Sequence, residues 1–304
     1  MSAIRTPKYL LILILTLVPA LAWSQGTVSR TKKQAPKTEK KQTQKKSKDT
    51  SSKKSGTAAK AEKVIKKQET KKIEKGEEIT IDHLSYEVID VTNRKVILKK
   101  CSIQSGKIDI PNTIQIKGSS LSVTQIGKWA FSWCSGLTSI TIPNSITKIE
   151  NYAFQGCSGL TFVTIPNSVT QIGEDAFKGC SSLTNVIISN SVTKIGDHTF
   201  SGCKSLTSVT IPNSVTQIKD YAFSHCNGLK SVTILNSVTK IGIGAFLGCK
   251  SLTSVTIPNS VTQIGEDAFY GCKGLTSVTM PAKFKERRDI FEDCPNLKTI
   301  NYTK

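Results

Sequence analysis

The chain has 304 residues, 38% of them hydrophobic and 6% aromatic, with nine cysteines and a formal charge of +20. That charge would suit a nucleic-acid binder, but it is concentrated: residues 30–75 hold 18 Lys and Arg against 5 acids, which leaves 22 basic and 17 acidic residues in 76–304. Most of the chain therefore has an ordinary, mildly basic surface rather than a domain-wide nucleic-acid footprint.

Arg5 and Lys8 precede an apolar run from Tyr9 to Val18, and Ala20-Leu21-Ala22 then offers the small residues of a signal-peptidase site. Residues 1–24 read as a cleaved signal peptide, which makes the protein exported. An uncleaved anchor is the alternative, and the run falls short of the roughly 20 apolar residues that a span needs. No cysteine lies near the cleavage site, which argues against a bacterial lipid anchor.

Residues 25–76 turn to Lys, Thr, Ser, Gln and Glu with almost no aromatic or β-branched residues. Such a composition cannot bury enough apolar surface to fold, so a disordered tether is predicted. As a flexible coil its most basic stretch would span roughly 37 Å, more with charge repulsion. It serves either as a solvated spacer or as a grip on anionic polymer. The lack of interleaved aromatics argues against specific single-strand binding.

From 77 to 126 short alternations such as Ile79/Ile81 and Tyr86/Val88 predict strands. Ile108-Asp109-Ile110-Pro111-Asn112 imitates the strand and turn of the later repeats, but carries nine extra residues before Ile126. This region is read as a β-rich cap over the open end of a repeat array.

The array, 127–304, repeats every 23 residues. Phe131, Phe154, Phe177, Phe200, Phe223, Phe246 and Phe269 form one column; Cys134, Cys157, Cys180, Cys203, Cys226, Cys249 and Cys272 a second; and Leu137 to Leu275 a third. A fixed period of this length means a solenoid, each unit burying its apolar face against its neighbours. In one unit, Leu252 to Cys272, L-x-x-V-x-I predicts a short strand with Val255 and Ile257 inward. Pro-Asn-Ser turns the chain, V-x-x-I-G makes a second extended segment, and D-A-F-x-G-C closes with a helical or 3₁₀-like turn. The residue before the second-segment Ile alternates Gln125, Lys148, Gln171, Lys194, Gln217, Lys240, Gln263, which keeps lysines off adjacent rungs. Arg287 replaces that Ile in the last unit, and Lys285 to Arg288 give a polar terminal cap.

The pattern L-x-x-V-x-I-P-x-S-V-x-x-I-G-x-x-A-F-x-x-C resembles the BspA-like leucine-rich repeats of bacterial surface proteins, over Leu121 to Tyr302, with a similar cap from Tyr86. The resemblance implies a β-rich leucine-rich-repeat solenoid, a cell-surface or secreted location, and adhesion to host matrix or plasma proteins or to other cells.

The cysteine column reads as reduced core. Parallel Cβ vectors are poor disulfide geometry, the count is odd, and buried thiols behave as small hydrophobes. A serine at Cys203 is accordingly expected to bury a hydroxyl without a partner. No C-x-x-C occurs, so no metal site and no cofactor is expected. His83, His198 and His225 fall in different columns, and no nucleophile or acid–base pair emerges, so an enzyme is not expected.

Two outward columns on the opening strands read Ser139, Phe162, Asn185, Ser208, Ser231, Ser254, Ser277 and Thr141, Thr164, Ile187, Thr210, Thr233, Thr256, Thr279. Phe162, Asn185 and Ile187 interrupt this run of hydroxyls on adjacent rungs. Neutral drift is one account, since single surface hydrophobes are ordinary; a protein-ligand site is the other, since clustered ones mark interaction surfaces. The function expected is a monomeric, non-enzymatic interaction protein binding a protein ligand there. The alternative is an electrostatic binder of anionic envelope polymer or nucleic acid through residues 30–75, with the repeats as scaffold.

Overall fold

A computed structural model of the protein describes residues 72–103 and 105–304. The expected signal peptide and nearly all of the lysine-rich tether lie outside the described residues.

The cap contains β1 (Glu78–Ile81), β2 (Leu84–Asp90), β3 (Lys95–Cys101), β4 (Ser105–Asp109), β5 (Thr113–Ile116) and β6 (Ser119–Ile126). β1, β2 and β3 form an antiparallel meander, and β3 then pairs with β6 in parallel. The nine extra residues are the β5–β6 hairpin, whose turn places Lys117 at φ 47° and Gly118 at φ 78°. Two successive positive φ values suit the right-handed twist of a tight hairpin. Residues before β1 belong to this unit. The Gly76 amide donates to the Val88 carbonyl at 2.8 Å, Lys117 pairs with Glu77 at 2.7 Å, and Ile73 packs on the core.

The cap starts both ladders of the array. β6 pairs in parallel with Lys148–Ile149, which pairs with Gln171–Ile172, so the second segments extend the cap sheet. β4 pairs in parallel with Gly136–Thr141 and begins the opening-strand ladder, followed by Phe162–Thr164 and Asn185–Ile187. Strands are two to six residues long here because a 23-residue rung must fit two extended segments and two turns. Threonines reinforce the stacking: the hydroxyls of Thr161, Thr184 and Thr207 each donate to the carbonyl of the threonine one rung back, at 2.9 to 3.2 Å.

The closing segments are consecutive turns rather than regular helix. Their amides alternate between the next rung, as Phe154 to Ala176, Phe177 to Thr199 and Phe200 to Ala222 at 2.8 to 2.9 Å, and local acceptors three residues back, as Gln155 to Tyr152 and Cys157 to Phe154. Each turn opens with a residue in the left-handed region, as at Tyr152, Asp175, His198, Tyr221 and Asp267, with φ from 51° to 61°. Among the described residues 3₁₀ helix is confined to the last unit, at Ala282–Phe284 and Asp289–Phe291.

Inside, the phenylalanine column is a continuous stack from Phe131 to Phe291, with centroids 5.0 to 5.6 Å apart. That distance lies within the preferred range for aromatic pairs. At the far end Thr299–Thr303 pairs in parallel with Ser277–Pro281. Arg287, standing in place of the core isoleucine, holds Asp289 at 2.7 Å and donates to the Ile264 carbonyl at 3.2 Å. The charge thus satisfies a backbone acceptor of the preceding rung.

Candidate functional site

The opening-strand ladder alternates strictly inward and outward, so Val163 and Val186 are buried while their neighbours face solvent. Phe162 is 44% exposed and Ile187 50%. In the register, Asn185 lies directly opposite Phe162 and Ile187 opposite Thr164. The two apolar side chains are therefore diagonal neighbours, roughly 8 Å apart by strand rise and spacing, with Asn185 completing the corner between them. The stack continues past the trio, the Thr207 amide of the next rung donating to the Thr184 carbonyl at 3.2 Å. The arrangement offers two apolar contacts, an amide, and the flanking hydroxyls of Ser139 and Thr164, which are the contacts of a binding surface.

The lysine–glutamine alternation is also borne on paired strands. Lys148 faces Gln125 and Gln171, and Lys240 faces Gln217 and Gln263, so no lysine opposes another in these pairs.

The cysteines Cys134, Cys157, Cys180, Cys203, Cys226, Cys249 and Cys272 are all buried and free, as is Cys101, with Cys294 half-buried. They are not merely apolar filling. From Cys157 to Cys294 each thiol donates to a phenylalanine carbonyl of the previous rung, at 3.0 to 3.3 Å. The expectation of an unpartnered hydroxyl in Cys203→Ser is corrected accordingly, since the Phe177 carbonyl is available to it. Cys101, which has no place in the 23-residue spacing, joins the column beside Cys134. The neighbouring Cys134 thiol holds the Cys101 thiol below its ordinary value, whereas burial raises Cys226 to about 12. Among the described residues no group of three or more His, Cys, Asp and Glu is placed to hold a metal ion.

His83, His198 and His225 lie apart in sequence, and His198 stacks on Tyr221 with centroids 5.0 Å apart. A second aromatic group was missed from the sequence. Trp129 stacks on Tyr152 at 5.7 Å, the Lys128 ammonium lies 4.0 Å from the Trp129 ring, and Trp133 covers Gly156. The available signal was an indole in a column that holds glycine at Gly156, Gly179, Gly202, Gly248 and Gly271.

A family model described as BspA type leucine rich repeat region matches residues 94–230 and 216–304, with six copies. No curated protein matches the sequence. Among solved structures, a leucine-rich repeat protein from Bacteroides ovatus is 26% identical, with 74% of this chain and 71% of that one covered and a TM-score of 0.46. A leucine rich cell surface protein from Faecalibacterium prausnitzii is 23% identical, covering 76% and 96%, with a TM-score of 0.41. The T. pallidum leucine rich repeat protein is 24% identical, covering 75% and 83%, with a TM-score of 0.39. No helix of the described residues is long and apolar enough to cross a membrane.

Proposed function

The chain belongs to the BspA-type leucine-rich repeat family, and from that premise we propose that it is an exported, non-enzymatic adhesin of a bacterial cell surface that takes a protein ligand on its opening-strand face. The ligand is a host matrix or plasma protein, or a protein on another cell. Residues 1–24 direct export, and the lysine-rich stretch from residue 25 up to the first described residue, 72, spaces the repeats from the envelope.

The observation that carries this reading is the Phe162, Asn185 and Ile187 trio. An exposed phenylalanine and isoleucine serve no core, and they interrupt otherwise hydroxyl-bearing columns at neighbouring rungs. Exposed apolar clusters rimmed by polar groups are what protein partners bury.

The test is the double variant Phe162→Ser with Ile187→Thr, which restores the hydroxyls of the other rungs. Purified matrix and plasma proteins are offered to the immobilised parent and variant. Loss of captured ligand by the variant, at unchanged melting temperature, supports the site; equal capture removes it. Ligand lost instead on deleting residues 30–75, with a steep salt dependence, would favour electrostatic binding of anionic polymer through the tail.

A further inference from the structure

Trp129 and Trp133 lie in one closing turn, on a different part of the rung from the opening strands, and they are 53% and 68% exposed. Both occupy the left-handed region, at φ 58° and 63°, where a bulky residue is a conformational outlier. In the Trp133 column five other rungs use glycine, and the Trp129 column holds Asp at 175 and 267. Neither indole fills the core. The left-handed backbone is shared by Tyr152, His198 and Tyr221 in the first column and by His225 in the second, so it belongs to the fold; what sets this rung apart is two large rings with most of their surface in water.

The rings are held in place. The amides of Trp129 and Trp133 donate to the carbonyls of Asn151 and Gln155 at 3.3 and 2.7 Å, so the turn is pinned to the next rung. One face of Trp129 rests against Tyr152, and the six-membered ring of Trp133 lies on Gly156 so closely that a Cβ there would come within 2.5 Å of Cε3. Their turn is the first of repeat type among the described residues. The remaining ring surface is solvent-facing and needs no rearrangement to accept a ligand, a saving in ordering that favours binding.

We infer that Trp129, Trp133 and Tyr152 form a platform for the pyranose rings of a glycan. The less polar face of a pyranose presents C–H groups of partial positive charge, which match the negative face of an aromatic ring. Sugar hydroxyls then meet the exposed Lys128 and Ser135 and the half-buried Gln155. Unlike the opening-strand face, whose outward columns extend a contact over seven rungs, the two indoles are confined to one turn, and there size decides against a protein partner. At roughly 150–250 Å² for an aromatic side chain, the two partly exposed indoles offer on the order of 300 Å². A stable protein interface needs about 800 Å² per partner, whereas the smaller area suits two stacked sugar rings.

The full chain is titrated with cellotetraose, chitotetraose, mannotetraose and tetragalacturonic acid, following tryptophan fluorescence and calorimetric heat. At least one is expected to bind with a Kd of roughly 0.1–1 mM, as for a small preformed contact. The double variant Trp129→Asp with Trp133→Gly, which restores residues the repeat uses at other rungs, is expected to lose at least about tenfold in affinity while melting no lower than the parent. If the variant melts lower, Trp133→Gly alone is read in the same way, because glycine is the residue of that column. The inference fails if none of the four sugars binds, if the variants bind as tightly as the parent, or if the indoles prove necessary only for binding a protein or vesicles.

Discussion

The thiol of Cys203 donates to the backbone carbonyl of Phe177, 3.3 Å away and 26 residues earlier in the chain. The same bond recurs along the column, so a small buried side chain gives each turn carbonyl a second donor beside the amide three residues on, as Cys180 to Phe177 at 3.2 Å, while the phenylalanine above it stacks on its own neighbours. A residue there must be small, apolar in most of its volume, and able to donate.

Replacement of Cys203 by serine should therefore be mild. The hydroxyl is shorter than the thiol but has the Phe177 carbonyl to donate to, so the expected cost is about 0.5–1.5 kcal/mol rather than the larger cost of an unsatisfied buried group. Cys203→Val, which cannot donate and adds volume, should cost about 1–3 kcal/mol. Urea denaturation of both variants measures the order; a serine variant less stable than the valine one contradicts the role of the carbonyl.

The thiol column also predicts alkaline instability. Burial raises Cys226 to about 12 and Cys203 well above its ordinary value, whereas an unfolded thiol titrates near about 8.5. A folded-state value above the unfolded one means that the native chain holds the proton more tightly. The stabilisation is complete below about pH 8.5 and is lost as pH rises towards 12, by up to about 1.4 kcal/mol per pH unit for each such thiol. Buried Tyr86, also raised to about 12, acts in the same direction. Melting temperature should fall from about pH 9; the fall should be shallower in Cys203→Ala with Cys226→Ala.

The boundary of the folded unit can be tested by truncation. A chain beginning at Lys72 keeps Ile73 on the core, the Gly76 bond to Val88 and the Lys117 pair with Glu77, and one beginning at Glu78 loses all three. Loss of a partly buried side chain and a backbone bond should remove about 1–3 kcal/mol and lower melting by about 2–6 °C. Equal melting of the two chains would show that residues 72–77 add nothing to the cap.

Arg287→Ala should loosen the terminal unit. The substitution removes the paired hydrogen bonds to Asp289 and leaves the Ile264 carbonyl without the arginine donor. Because the side chain is partly exposed, the expected cost is about 1 kcal/mol. It should appear first as faster hydrogen exchange at the amides of Asp289–Phe291, while the amides around Phe177 and Phe200 keep their protection.

The repeat, its inward columns and the outward hydroxyl columns were all legible in the sequence, because a solenoid stacks like residue on like residue and a period of 23 then names every neighbour. That is why Phe162, Asn185 and Ile187 could be placed on adjacent rungs from spacing alone. Their diagonal offset followed from the same period, which sets Asn185 opposite Phe162 and Ile187 opposite Thr164; what the spacing left open was how far each side chain stands in solvent. The closing turn looked helical on paper, but alternate amides found acceptors on the following rung, and a competition between local and inter-rung hydrogen bonds is decided only when the rungs are stacked. Cys101 escaped the periodic reading for a related reason: the cap reaches the thiol column by β pairing rather than by repeat spacing. The exposure of Trp129 and Trp133 likewise waited on the fold. A tryptophan beside a core column reads as core, and only the left-handed backbone at φ 58° and 63°, with a pinned turn beneath, directs both indoles into solvent.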